Sequence, residues 1–255
     1  MFINNLKSKF ESDDVCLGTW YTIPSDSLLE IIGLSNFDFA VIDMEHGPFT
    51  FEHLLTLIPL AERQQLSPIV RVPSINSSSI LRALDCGAHG IQVPHIKTKE
   101  DAEKVIEYVK YSPIGGRGLS PFTRAGGFSS EKILEHSDIQ NDNTLIILNI
   151  EGVEGIENLD SILKLENIDV IFLGPYDISQ SVGVTGDINH PKVRDLIIDA
   201  IKKINDANVI AGCYAGNVDE AKFMIENGIR YLTYHVDAPI IHSTFNAISK
   251  EIKKI

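Results

Sequence analysis

Short runs of Val, Ile, Leu and Phe alternate with longer segments in which apolar positions recur every three or four residues, and the exchange continues along the whole chain. The short runs predict eight strands, at 16–20, 38–43, 68–72, 90–93, 144–150, 169–173, 209–213 and 230–235. The longer segments predict helices at 27–34, 51–63, 78–85, 99–111, 155–163, 191–205 and 219–226, with 238–252 closing the chain. The first fourteen residues read as one more short amphipathic helix. Eight βα units suit a closed parallel (β/α)8 barrel better than a doubly wound sheet, which uses about six strands. The length of 255 residues agrees with that fold. No linker, low-complexity tract or shift of composition marks a second domain, so residues 1–255 read as one barrel domain. One long irregular stretch, 112–129, is rich in Gly and Pro. A loop of that length is usually functional, often a lid or an active-site wall.

Composition narrows the function. Apolar residues make up 44% of the chain, enough for a large core. Twenty-two Lys and Arg stand against 35 Asp and Glu, a net charge of -13 with no basic block. Nucleic acid and anionic membrane surfaces are therefore poor partners. No apolar run approaches the roughly 20 residues of a membrane span. The N-terminus lacks the basic flank, apolar run and cleavage site of a secretory signal, and a cytoplasmic protein is expected. Cys16, Cys86 and Cys213 have neither CxxC nor zinc spacing and read as small buried hydrophobes.

In a barrel of this kind reactive groups gather at the carboxyl ends of the strands. Those positions hold Trp20, Asp43, Glu45, His46, Arg71, His95, Glu151, Gly174, Asp177, Tyr214, His235 and Asp237, a ring rich in carboxylates and imidazoles. Glu151 and Asp177 each follow a buried strand. Either they supply two oxygens to an open octahedral site for a hard divalent cation, or they cap the helices that follow. Asp43 and His46 end the second strand. Either Asp43 holds a ring nitrogen of His46 and leaves the other free to move a proton, or Glu45 and His46 face solvent. Arg71 either meets a substrate carboxylate or a developing enolate oxygen, or pairs with Asp43 or Glu45.

Other chemistries lack their motifs. Gly115-Gly116-Arg117-Gly118 does not have the Walker spacing, no dinucleotide fingerprint follows a strand, and there is no nucleophile elbow. No lysine stands at a strand end, which argues against a Schiff base. His53, His89, His136, His190 and His242 have no partner pattern and read as structural or surface residues.

Taken together, Leu17-Gly18-Thr19-Trp20, Ile42-Asp43-Met44-Glu45-His46-Gly47-Pro48, Val70-Arg71-Val72, Leu84-Asp85-Cys86-Gly87-Ala88, Gly116-Arg117-Gly118, Ile150-Glu151 and Gly174-Pro175-Tyr176-Asp177-Ile178-Ser179 follow the order of a known family. From about Leu17 to Pro239 the chain resembles the metal-dependent class II 2-oxo-acid aldolases, of the 4-hydroxy-2-oxoheptanedioate and 2-keto-3-deoxy-L-rhamnonate aldolase type. The resemblance implies a (β/α)8 barrel assembled as a homohexamer, a trimer of dimers, with the last helix exchanged between subunits. It implies Glu151 and Asp177 as ligands of Mg²⁺, Mn²⁺ or Co²⁺, on which pyruvate or a related 2-oxo acid chelates. It implies Arg71 as the stabiliser of the enolate oxygen, His46 oriented by Asp43 as the acid–base group, and Asp85 as a residue reaching a neighbouring subunit's site. Gly174 and Pro175 would lend backbone contacts to the substrate carboxylate, with Trp20, Tyr176, His235 and Asp237 around the substrate.

Three positions depart from the family pattern. Asn149 stands where Gln is expected, Tyr234-His235-Val236-Asp237 replaces a small Gly-containing turn, and Tyr214 brings an aromatic ring to the rim. They are expected to alter the aldehyde half of the pocket and leave the metal and pyruvate half intact. The implied reaction is reversible cleavage of a 4-hydroxy-2-oxo acid to pyruvate and an aldehyde. A citrate or acyl-CoA lyase and a catalytically silent 2-oxo-acid binder or assembly partner are the alternatives, the acidic balance speaking against a CoA site.

Overall fold

The side chains of eight strands alternate between two environments, and that alternation builds a closed barrel. In the computed structural model, which describes residues 4–131 and 133–254, the strands are β1 (Cys16–Tyr21), β2 (Phe39–Asp43), β3 (Ser67–Arg71), β4 (Gly90–Val93), β5 (Leu145–Ile150), β6 (Val170–Leu173), β7 (Ile210–Ala215) and β8 (Tyr231–Val236). Every neighbouring pair is parallel, in sequence order, and β8 closes on β1. One parity of each strand, including Ala40, Ile42, Val70, Ile91, Ile146, Leu148, Ile171 and Leu232, packs outward against the helices. The other parity fills the interior with Cys16, Trp20, Phe39, Val41, Ile69, Leu145, Ile147, Val170, Phe172 and Tyr231. Strands buried on both faces are the reason they read as continuous apolar runs.

The surrounding helices are α2 (Asp26–Leu34), α3 (Phe51–Arg63), α4 (Ser77–Asp85), α5 (Lys99–Val109), α10 (Pro191–Asp206), α11 (Val218–Glu226) and α12 (Asp237–Ile252). Their starts follow from side-chain caps: Ser25, Asn76, Thr98 and Asn217 each accept a backbone N–H of the first turn. The amino-terminal face is closed by α1 (Asn5–Glu11). Its Leu6 is fully buried among the interior residues, and Asn4 donates to the carbonyls of His89 and Asn143. Residues 1–3 of the amphipathic segment lie outside the described residues.

Four elements differ from the sequence reading. The helix expected over 155–163 is two short ones, α7 (Val153–Glu157) and α8 (Leu159–Ile162). An unforeseen α6 (Ile133–Asn143) precedes β5, and α9 (Pro175–Ser181) follows β6. The 112–129 stretch is neither a lid nor a wall of the central pocket within the chain. Arg117 pairs with Asp85 at 2.9 Å and Arg124 with Glu62, which holds it against α4 and α3. Among the described residues no helix is long and apolar enough to cross a membrane, and all three cysteines are free and buried.

Candidate active site

At the carboxyl ends of the strands the interior parity changes from apolar to polar, and those polar groups floor a cavity of about 460 Å³. The register that sets Asp43 beside Arg71 fixes its centre. Arg71 Nε donates to Asp43 Oδ1 at 2.8 Å and Nη2 to Oδ2 at 2.7 Å, a bidentate pair that is almost fully buried. Nη1 lies 3.1 Å from Glu45 Oε2, and the guanidinium sits 4.1 Å above the centre of the Trp20 ring. Trp20 is itself fixed by donating Nε1–H to Thr233 Oγ1 at 3.0 Å.

Asp43 does not orient the His46 ring, which corrects the expectation from sequence. Its Oδ1 accepts the backbone N–H of Glu45 at 3.0 Å and of His46 at 3.3 Å while both oxygens serve Arg71. Asp43 thus shapes the turn after β2, in which Gly47 is needed because a Cβ there would lie 2.3 Å from the Asp43 carbonyl oxygen. The His46 ring has no hydrogen-bond partner among the described residues and lines the cavity.

Glu151 is held from two sides. Oε1 accepts from Asn149 Nδ2 at 2.9 Å, and Oε2 accepts the His95 backbone N–H at 3.0 Å with His95 Nδ1 2.9 Å away. Asn149 is the shorter amide that departs from the family pattern, yet it reaches its carboxylate. It accepts in turn from Gln92, whose own oxygen accepts from Tyr231 across the barrel. His95 Nε2 stands 3.1 Å from Glu45 Oε1, so its ring bridges two acidic residues. Burial pushes the Glu45 carboxyl up against the pull of Arg71, and the neighbouring Glu151 adds to the rise.

Asp177 lies in the first turn of α9 and opens onto the same cavity as Glu151, with no hydrogen bond among the described residues. Neither carboxylate is a helix cap, since Gly152 and Gly174 occupy those positions. A Cβ on Gly174 would come within 2.8 Å of Glu151 Cγ. The glycine therefore makes the cradle in which Glu151 approaches the turn carrying Asp177. Two hard carboxylates on one open cavity suit Mg²⁺, Mn²⁺ or Co²⁺ with water and substrate oxygens completing the sphere. Among the described residues no three His, Cys, Asp or Glu side chains converge on a closed metal site.

Pro175, Tyr176, Tyr214 and His235 also line the cavity. Two residues singled out from sequence lie elsewhere. Asp237 is buried and saturated: Oδ2 accepts from the amides of Thr22 and Ile23, and Oδ1 from the Thr22 hydroxyl and the Ala238 amide. It ties the residues after β1 to the end of β8 and is not among the residues lining the cavity. Asp85 is away from the cavity of its own chain, paired with Arg117. His95 stands among the strand-end residues read from sequence but without an assigned role; its place at the end of β4 was visible, its direction was not. Four other histidines are structural: His89 pairs with Glu62, His136 with Tyr111, and His53 and His190 serve helix starts.

The model of the HpcH/HpaI aldolase/citrate lyase family matches residues 17–237. A 5-keto-4-deoxy-D-glucarate aldolase of Shigella boydii is 28% identical over 254 residues, covering 100% of this chain and 98% of the relative. A hydroxypyruvate/pyruvate aldolase of Roseobacter denitrificans is 29% identical, covering 99% and 98%. A crystal structure of a family member from Burkholderia cenocepacia superposes with a TM-score of 0.92 at 28% identity, covering 98% of this chain and 99% of that one.

Proposed function

Because the chain belongs to the HpcH/HpaI aldolase/citrate lyase family, we propose that this carbon–carbon lyase reversibly cleaves a 4-hydroxy-2-oxo acid to pyruvate and an aldehyde. The observation that carries the reading is the convergence, on one cavity, of the Asp43-clamped Arg71, the carboxylates Glu151 and Asp177, and the unpartnered ring of His46. In the cleavage direction a base takes the 4-hydroxyl proton, the C3–C4 bond breaks, and its electron pair moves onto the 2-oxo group as an enolate. His46 takes and returns the proton, directly or through water. Arg71, its geometry set before substrate arrives, donates to the oxygen on which charge develops. Reprotonation at C3 releases pyruvate. Glu151 and Asp177 would hold the divalent cation, which supplies Lewis acidity to the 2-oxo acid. The Gly174 and Pro175 backbone and the Trp20 ring border the pyruvate half.

Arg71 is the one Lys or Arg among the residues lining the cavity, which leaves no cationic rim for the phosphates of a CoA ester. We further propose that the domain acts as a homohexamer, in which α12 is exchanged and Asp85 reaches a neighbouring site. The apolar side chains of Phe245, Ile248 and Ile252, all exposed on α12 in the single chain, support a partner for that helix.

The test is proton NMR of pyruvate in D₂O with the purified protein. Exchange of the methyl protons with Mg²⁺ or Mn²⁺, lost with EDTA and in Glu151→Gln, is the expected result. No exchange with any of these metals would overturn the reading in favour of a binding protein.

A further inference from the structure

Three polar side chains in the barrel interior take no part in the bond-breaking chemistry above. Gln92 of β4, Asn149 of β5 and Tyr231 of β8 are fully buried, and they share the interior with Phe39, Ile69, Ile147 and Phe172. Tyr231 is gripped there, stacked on Phe39 with ring centres 4.2 Å apart and meeting Phe172 edge to face at 6.2 Å. Polar groups in such a place destabilise a fold unless each finds a partner. These three find one another, and the last of them finds Glu151.

The direction of every bond in the series follows from its end. An ionised carboxylate accepts only, so Asn149 must turn its Nδ2 to Glu151 Oε1, 2.9 Å away. Its Oδ1 then faces Gln92 and needs a donor, which Gln92 Nε2 supplies at 2.9 Å. The Gln92 oxygen is left to accept from the Tyr231 hydroxyl at 3.1 Å. Burial pushes that phenol well above its ordinary range, so it keeps the proton it donates. Among the described residues neither side-chain amide bonds any other group, so the series is unbranched. All three donors point toward Glu151, the arrangement in which each bond polarises the next.

From the opposite side the His95 backbone N–H donates to Glu151 Oε2 at 3.0 Å. Each carboxylate oxygen therefore carries a protein hydrogen bond, its plane is set before any ligand arrives, and lone pairs remain for a cation. Alone, the short Asn149 amide is free to turn over and bring its own oxygen against the carboxylate; the donor on Gln92 holds it the right way round. We propose that Tyr231, Gln92 and Asn149 are positioning residues, a one-way relay of hydrogen bonds that presets Glu151 to take the divalent cation. The departure from the family pattern at Asn149 then lies at the metal half of the pocket, with Gln92 as its compensating partner. The proposal rests on the aldolase reading above and adds to it residues that touch neither substrate nor metal.

The probe is Mn²⁺ alone, titrated without substrate into EDTA-treated, desalted protein and followed by the EPR signal of the free ion. Gln92→Leu and Asn149→Ala should each raise the Mn²⁺ Kd by at least about tenfold, the usual cost of removing a group that orients a metal ligand. Tyr231→Phe keeps the ring and its stacking and should raise the Kd by about two- to fivefold, since it removes only the far donor of the series. The double variant Gln92→Leu/Asn149→Ala should match Asn149→Ala to within about twofold, because Gln92 acts only through Asn149. A folding defect lowers the number of sites and not the Kd of those that remain, so the two are read separately. A Kd unmoved in both single variants, or losses that multiply in the double variant, overturns the relay, while pyruvate exchange in the unaltered protein keeps the aldolase reading in place. Unaltered protein that neither binds Mn²⁺ nor exchanges pyruvate protons overturns the aldolase reading and the relay with it.

Discussion

Arg71 meets two carboxylates and an aromatic ring before any ligand arrives, so its position costs nothing at the moment of reaction. The bidentate bond to Asp43 needs the planar fork of a guanidinium, which an ammonium cannot reproduce. Arg71→Lys is therefore expected to slow pyruvate methyl exchange by about 10²–10³-fold, the usual cost of losing one preorganised oxyanion donor. NMR in D₂O measures it, and a loss under about threefold would remove Arg71 from the enolate's surroundings. Residues at strand ends were legible in the sequence because apolar runs mark where each strand stops, as they do before Asp43, Arg71 and Glu151. What those side chains touch was less legible. Asp43 serves an arginine 28 positions away and only the backbone, not the ring, of the histidine three positions on, and Asp237 spends its carboxylate on Thr22, 215 positions distant. Spacing along the chain carries no information about such partners. His95 was placed at a strand end but given no role, because its aim depends on a left-handed backbone, φ +59, that no glycine or asparagine announces.

At the scale of elements, parity decides most of the architecture, and glycine decides where large rings fit. Phe39 and Tyr231 stack inside the barrel with centres 4.2 Å apart. Gly18, opposite Phe39 in the register of β1 and β2, makes room for them, because a Cβ there would fall 2.2 Å from the Phe39 ring. Gly18→Ala should destabilise the fold by about 3 kcal/mol, the upper range for overpacking a close-packed interior. Urea unfolding would measure the shift, and a loss below about 1 kcal/mol would mean that the two rings give way. All eight strands were readable within one or two residues, since strands buried on both faces stand out as apolar blocks. The unforeseen α6 has the opposite character. Its buried side chains are His136, Gln140 and Asn141, and Asn141 both accepts the Tyr111 N–H at 2.7 Å and donates to the Tyr111 carbonyl at 3.2 Å. A helix seated by polar bonds has no apolar stripe to betray it. The α9 helix was hidden by its shortness, seven residues beginning at Pro175, which is preset for the first helical position.

Across the whole molecule, chemistry is confined to the carboxyl end of the barrel and stability is built elsewhere, which separates their responses to pH. Lys110 lies buried away from the cavity, donating to the carbonyls of Asn141 and Thr144, and burial brings its ammonium down to about 8. Cys16 and Cys213 are fully buried, and burial raises each thiol from 9.0 to about 12. The signs oppose one another. Above pH 8 the unfolded chain keeps the Lys110 proton that the folded chain has lost, so that group alone raises stability with pH until about 10.5. Above pH 9 the unfolded chain loses the Cys16 and Cys213 protons that the folded chain retains, so those groups lower stability until about pH 12, and Cys86, also raised by burial, acts in the same direction. Between pH 9 and 10.5 the balance is at least one proton against the folded state, a decline of at least roughly 1 kcal/mol per pH unit, to which Cys86 and, near pH 10, Tyr21, Tyr111, Tyr214 and Tyr231, whose phenols burial also raises, add. Urea midpoints measured from pH 7.5 to 10.5 should therefore hold nearly level to pH 9 and then fall. Cys213→Ala removes one of the opposing thiols and should flatten the alkaline limb, whereas Lys110→Met removes the compensating lysine and should steepen it. Identical alkaline slopes in all three proteins would show that the buried thiols and Lys110 do not set the response, and that the self-repulsion of a chain with net charge -13 sets it instead.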